Sequence, residues 1–298
     1  MLNSLVTVAL PLIPKKIVEK VAKPYIAGEN LSNTIEVVRK LNYSGATATL
    51  DILGEDVTSK EDSQKATNDC LSILDAIAKE KINSNLSLKL THLGLKLDYS
   101  ICEENLKSII DSAKEKNIFV RIDMEDNTCT DDTIKLFRAM RNHHEKVGVV
   151  IQAYLKRSEK DICALVSEKT NLRLCKGIYN ERAEIAFKNR KEIQNNFLNL
   201  LEIIFDGKSF VGIATHDDVL IDGAKKIIAK KNISKDEFEF QMLLGVRKEK
   251  RDLLIAEGNH LRVYAPFGKD WYPYSIRRLK ENPRMAFYIA KAFLGFEN

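Results

Sequence analysis

An α/β chain closed into a (β/α)8 TIM-type barrel, preceded by a helical segment, is the fold class that the sequence predicts. Short β-rich runs recur along the chain with amphipathic helical stretches between them, a pattern that calls for a parallel sheet wrapped by helices. About eight such repeats fill 298 residues, close to the usual length for this architecture. No strand is followed by a G-x-G-x-x-G or Walker-type loop, which disfavours an open dinucleotide-binding sheet.

The expected strands run from Ala46 to Ile52, Leu86 to Leu90, Ile118 to Met124, Val147 to Ala153, Leu172 to Ile178, Phe210 to Thr215, Glu239 to Leu243 and Leu261 to Pro266. Several are apolar on consecutive positions, as in Val147-Gly148-Val149-Val150-Ile151, which suits a strand covered on both faces. The segment before Leu41 reads as helical and would cap the barrel or extend from it. No Gly/Ser/Pro-rich linker divides the rest, so the expected organisation is a helical segment over 1–40 and one barrel over 41–298.

Composition narrows the function. Hydrophobic residues make up 44% of the chain, enough for a large core, and the formal net charge of +5 is spread along the sequence. That balance argues against nucleic acid and for an anionic small molecule or membrane surface. Five widely spaced cysteines with no C-x-x-C motif read as reduced thiols in a cytoplasm. The five histidines show no metal-ligand spacing, and no metal is expected. No G-x-S-x-G elbow supplies a hydrolase nucleophile. Pro11 and Pro14 interrupt the apolar stretch from Leu5 to Ile13, which fits neither a signal peptide nor a membrane span.

In a barrel of this kind the site lies at the C-terminal strand ends, so polar residues closing each apolar run are the candidates. Lys89, Arg121 with Asp123, Gln152, Arg173 with Lys176, Thr215 with His216, and Tyr264 occupy those positions in successive runs. A single charge in a strand is usually a structural pair or a solvated edge. A charge or amide in nearly every strand is different, because burying each costs several kcal/mol unless a polar ligand satisfies it. Lys89, Asp123, Gln152, Arg173 and Lys176 are therefore expected to converge on one cavity. The tandem Arg277-Arg278 suits a two-point clamp on a carboxylate, although Glu281 four residues after Arg277 could equally form an ordinary helix pair. The turn at Thr215 to Asp217 leads into a helical pattern whose first N–H groups could face a phosphate. Gly177 removes a side chain where a flat ring could approach the backbone.

The motifs "SLKLTHLGL", "RIDMED", "VIQAYLKRSEKD", "NLRLCKGIYNE", "ATHD", "FEFQMLLGVR", "VYAPFG" and "WYPYSIRRLKEN" resemble, in order, those of the proline dehydrogenase family, from "LDILGEDV" almost to the C-terminus. The resemblance implies a barrel holding non-covalent FAD that oxidises L-proline to Δ1-pyrroline-5-carboxylate and passes the electrons to a quinone. It implies that Lys89, Arg277 and Arg278 hold the substrate carboxylate, with Tyr264 and Tyr274 against the ring. Glu55 and Glu281 would pair with the arginines, the Glu55 to Arg277 contact acting as a gate. Asp123 would organise Lys89 and the site, and Arg173 would donate a hydrogen bond near flavin N5. Met124, Gln152, Lys176, Gly177, Ile178, Thr215 and His216 would line the FAD. Leu244 and Ile178 depart from the family pattern, which has tyrosine and alanine there. The chain ends soon after the last expected helix, so a separate pyrroline-5-carboxylate dehydrogenase would act downstream. The expected location is cytoplasmic, with peripheral contact at the inner face of the membrane left open.

Three rivals stay open on the residues alone: another flavin barrel such as a methylenetetrahydrofolate reductase, a lyase or aldolase using Lys89 or Lys176 as a Schiff base, and a non-catalytic binding barrel. The clamp itself is testable. Arg277→Lys or Arg278→Lys is expected to raise KM for proline strongly while leaving FAD bound, and an unchanged KM in both variants would sink it.

Overall fold

A computed structural model describes residues 23–54, 56–272 and 274–276. Its strands are β1 (Thr47–Ile52), β2 (Ser84–Leu88), β3 (Val120–Ile122), β4 (Val147–Gln152), β5 (Asn171–Cys175), β6 (Val211–Ala214), β7 (Phe238–Leu243) and β8 (Leu261–Phe267). All pair in parallel with their neighbours, and β1 pairs with β8, which closes the barrel in sequence order. The helices are α1 (Leu31–Tyr43), α2 (Lys60–Glu80), α3 (Tyr99–Glu115), α4 (Thr130–His143), α5 (Ser158–Ser167), α6 (Arg190–Asp206), α7 (Asp218–Lys231) and α8 (Lys248–Ala256). Polar caps start several of them: Ser59 accepts from Asp62 N, Asp98 from Ser100 and Ile101 N, and Asn189 from Lys191 N.

Strand alternation separates two interiors. Leu50, Leu86, Val120, Val149, Leu172, Ile213, Phe240 and Val263 belong to the hydrophobic layer between sheet and helices, each burial contributing roughly 1.5–3 kcal/mol. The alternate positions face the barrel axis and are largely polar or charged: Asp51, Ser87, Arg121, Arg173, Glu239, Gln241 and Arg262. The strands are thus covered on both faces, as expected, but the inner cover is polar.

α1 packs against both β1 and β8, the groove where a barrel's last helix would otherwise lie. The boundary expected at residue 40 falls inside this helix. Ahead of it, residues 23–29 lie at the strands' C-terminal end. Ala27 N donates to Pro266 O (2.8 Å), Gly268 N to Gly28 O (2.9 Å), and Trp271 Nε1 to Glu29 Oε1 (3.0 Å). With the groove taken by α1, the helical residues around Trp271 stay at the mouth, where Tyr274 lines the cavity.

Differences from the expected strand bounds place site residues at the ends of three strands. β2 is shifted two residues toward the N-terminus because its pairing runs from Ala48↔Ser84 to Asp51↔Ser87. β3 is only three residues long, and β5 stops at Cys175, before Gly177 takes φ +102°. Lys89, Asp123 and Lys176 consequently sit just past their strands, where their side chains can turn over the mouth.

Below the site, Arg121 fills the barrel floor, donating to Val149 O (3.0 Å) and Asn171 O (2.7 Å). Gly148 makes the room: a Cβ there would lie 2.5 Å from Arg121 Nη1 and 2.5 Å from Asn171 O. Gly148→Ala is expected to destabilise the fold by about 1–3 kcal/mol, read as a lower midpoint in thermal or urea unfolding.

Candidate functional site

The deepest part of the site is an ion pair under a phenol. Arg173 Nη1 lies 2.6 Å from Asp123 Oδ1 and 3.2 Å from Ser87 Oγ, which itself donates to Asp123 Oδ1 at 2.7 Å. Tyr264 donates to Asp123 Oδ2 (3.1 Å), and its ring lies 5.4 Å from the Arg173 guanidinium carbon. Burial, then the Asp123 and Asp51 charges, push the Tyr264 phenol well above its ordinary range, so it remains a donor. Behind Arg173, Nε donates to Gln241 Oε1 (2.6 Å), Gln241 Nε2 to Glu239 Oε1 (2.7 Å), and Arg262 Nε to the same Glu239 oxygen (2.6 Å). Every member thus constrains the next.

Lys89 is held differently from what the sequence implied. Its Nζ reaches both oxygens of Asp51, at 3.0 and 2.9 Å, with Asp51 only 1% exposed. Burial works against the Lys89 ammonium, but Asp51, Asp123 and Glu125 outweigh it and hold Lys89 above its ordinary range. Asp51 is therefore the carboxylate that organises Lys89, and Asp123 organises Arg173. The reason lies in register: Asp51 faces Ser87 across the β1–β2 pair, directly beside the turn that carries Lys89. The rule that found the other residues, a polar residue closing an apolar run, would have found Asp51 in "TATLDI" as well.

At the rim, the start of α7 is already capped. Asp217 accepts from Val219 N (3.2 Å) and from Gln194 (3.0 Å), and pairs with Arg190 (3.0 Å) and Lys176 (3.4 Å). Burial opposes its charge, yet these donors hold Asp217 below its ordinary value. A phosphate at this helix start would meet a carboxylate, so the anion-attracting groups here are Lys176 and Arg190 rather than the backbone expected from the Thr215 to Asp217 turn. His216 Nε2 accepts from Leu243 N (2.8 Å), which ties the β6 and β7 ends together. Gln152 donates to Glu125 O (2.8 Å), fixing the turn after β3 that carries Met124. A Cβ on Gly177 would fall 2.1 Å from the Tyr154 ring, so the ring that requires this glycine is the protein's own.

These groups surround a cavity of about 920 Å3, within the range of cofactor and small-molecule sites. Lys89, Asp123, Gln152, Arg173 and Lys176 converge on it, as do Tyr264, Tyr274, Met124, Gly177, Ile178, Thr215 and His216. Glu55, Arg277, Arg278 and Glu281 lie outside the described residues. Tyr25, Cys175, Tyr179, Arg190, Gln241 and Leu243 also line the cavity and were missed. Gln241 was legible within "FEFQML" by strand alternation, whereas Tyr25 and Arg190 arrive from a segment before β1 and from the first residue of a helix, with no strand-end signal. Among the described residues no His/Cys/Asp/Glu group is arranged to hold a metal, and no helix is long and apolar enough to cross a membrane.

Fold and site together define a class: a (β/α)8-barrel enzyme with buried charges gathered at the C-terminal mouth around a small-molecule cavity. The sequence profile of the proline dehydrogenase family matches residues 34–288, and the chain belongs to that family. It is 38% identical over 273 residues to proline dehydrogenase 1 of Bacillus subtilis (92% of this chain, 90% of that one). It is also 35% identical over 278 residues to proline dehydrogenase of Deinococcus radiodurans (92% and 90%). Among solved structures, it superposes on proline utilization A of Bdellovibrio bacteriovorus inactivated by N-propargylglycine with TM-score 0.82 and 27% identity, covering 89% of this chain and about a third (33%) of that one.

The lower barrel gives a pH prediction. Burial resists the Glu239 charge, but Arg262 and the Gln241 hydrogen bond hold its carboxyl below the ordinary value of 4.5. A depressed folded-state value means that this stabilisation is present above the unfolded value and is lost as pH falls through the folded one. Glu239→Gln is therefore expected to lower unfolding free energy at neutral pH, with the gap from the parent narrowing below about pH 4 in denaturant titrations.

Proposed function

We propose that this chain is a proline dehydrogenase, an oxidoreductase acting on the CH–NH group of L-proline, with non-covalent FAD in the barrel mouth and Δ1-pyrroline-5-carboxylate as product. Electrons would leave to a quinone, and a separate pyrroline-5-carboxylate dehydrogenase would take the product onward. The observation that carries the reading is Arg173 Nη2, which is buried and meets no acceptor among the described residues, while its other two nitrogens are fixed by Asp123 and Gln241. A guanidinium held at two points with its third group unspent suits an acceptor edge of a planar cofactor, and an unmet buried donor of this kind costs about 1–3 kcal/mol. The cavity volume and the paired cations Lys176 and Arg190 at its rim suit the rest of a dinucleotide.

FAD, when bound, supplies the hydride acceptor. The protein's part is positioning, exclusion of water and charge. Lys89, with Arg277 and Arg278, would hold the substrate carboxylate, and Tyr264 and Tyr274 would flank the ring, which fixes the carbon next to nitrogen against the cofactor. Glu55 and Glu281 would pair with the arginines. Asp123 orients Arg173, whose charge would favour the electron-rich cofactor edge. Met124, Gln152, Gly177, Ile178, Thr215 and His216 would line the cofactor. No side-chain nucleophile takes part: Lys89 is held protonated, which also weighs against a Schiff-base role.

The test is the visible spectrum of the purified protein under anaerobic conditions. Flavin bands that bleach on adding L-proline and persist with NADH are the expected result. Bands indifferent to proline overturn the substrate, and a protein that takes up no flavin on reconstitution overturns the cofactor.

A further inference from the structure

We infer that Asp51 is a positioning residue for substrate binding, fixing Lys89 so that one N–H of the ammonium is left for the substrate carboxylate. The inference rests on the proline-oxidising reading and deepens it. Asp51 lies behind the cavity wall, while Lys89 is among the residues that line it. The Asp51 side chain is 2% exposed and the Lys89 side chain 11%, and the two oxygens of Asp51 take two of the three Lys89 N–H groups. One N–H remains on a lysine that is among the residues lining the cavity. A lysine ammonium on a flexible four-carbon stem otherwise turns freely, so two-point retention converts a loose charge into a directed donor.

Among the described residues, Asp51 carries this role alone. Asp123, whose charge also acts on Lys89, is committed to Arg173, Ser87 and Tyr264. Glu125 is committed to Thr91, accepting from its backbone N (3.0 Å) and its hydroxyl (2.5 Å). The further titratable groups that face the pair are the Tyr264 phenol and the Cys70 thiol, the latter pushed up to about 12 by burial and the Asp51 charge. Both stay neutral through the assay range, so Lys89 is the group whose charge responds when Asp51 changes.

Asp51→Asn removes the charge and one acceptor while keeping the shape. Lys89 then loses its largest charge support, and its ammonium deprotonates at lower pH. KM for proline is expected to rise on the order of 10- to 100-fold, the worth of one charge-assisted hydrogen bond, while kcat falls much less. The rise of KM toward alkaline pH should begin at lower pH than in the parent. Calorimetric titration of the holoenzyme with cyclopentanecarboxylate, which has the ring and carboxylate but no amine to oxidise, should weaken in parallel, independently of turnover. Lys89→Met and the double variant Asp51→Asn/Lys89→Met close the cycle. In the Lys89→Met background, Asp51→Asn should add no further loss of binding and should recover thermal stability, because no charge is left unpaired. A KM and ligand affinity unchanged in Asp51→Asn, or a loss of the same size with and without Lys89, overturns the inference. Should Asp51→Asn not fold, Lys89→Met against the double variant decides: weaker binding in the double variant overturns it. In each case the parent's bleaching by proline reports separately on the proposed function.

Discussion

The Asp123–Arg173 ion pair is the constraint on which the rest of the site depends. Two opposite charges inside a barrel are stable only when geometry is close and their remaining donors and acceptors are met. Ser87 and Tyr264 complete Asp123, and Gln241 completes Arg173 on one side. The demand then passes outward: Gln241 needs Glu239, and Glu239 needs Arg262, which ends on Ala48 O of β1. The chain of obligations crosses β2, β3, β5, β7, β8 and β1, so a shift in one strand's register would leave a buried charge unmet elsewhere. A network of this kind restricts where each charged side chain at the barrel mouth can sit before any ligand arrives, which is the preorganisation that positioning chemistry needs.

Stability and chemistry are separated by strand alternation. The aliphatic residues face the helices and supply the hydrophobic gain, so the axis of the barrel is free to hold charge. The same separation governs the mouth. α1 occupies the groove between β8 and β1, and residues 23–29 are pinned to the end of β8. The chain after β8 is thereby directed to the cavity, where Tyr25 and Tyr274 meet the residues of the strand ends. Segments far apart in sequence become walls of one site because a single helix takes the position that the barrel's closing helix would fill.

Strand-end polarity made most of the site legible. Lys89, Asp123, Gln152, Arg173, Lys176 and Tyr264 each close an apolar run, and all line the cavity. Asp51 and Gln241 stand at the same kind of position, a polar residue among apolar neighbours late in a strand. The link expected between Asp123 and Lys89 is the pairing that differs, Lys89 being on Asp51 and Asp123 on Arg173. Nothing in "RIDMED" or "SLKL" says which carboxylate takes which cation, because the choice depends on where β2 stops relative to β1, and that register is set by backbone pairing across the barrel. Likewise the α7 start reads in the sequence as free to take a phosphate, but Asp217 caps it with an ionised carboxylate that Arg190, Lys176 and Gln194 surround.

What the sequence by itself determined is the fold class, the number and order of the strands, the family, and the kinds of side chain that close each strand. It did so because those features are local: periodicity, burial on two faces and motif order are written in consecutive residues. The partners of each charge, the presence of Tyr25 and Arg190 at the mouth, the third nitrogen of Arg173, unmet among the described residues, and the grip of Asp51 on Lys89 were decided by the tertiary structure alone. They are distances between residues tens to hundreds of positions apart, and closing the barrel is the physical step that brings them within hydrogen-bond range.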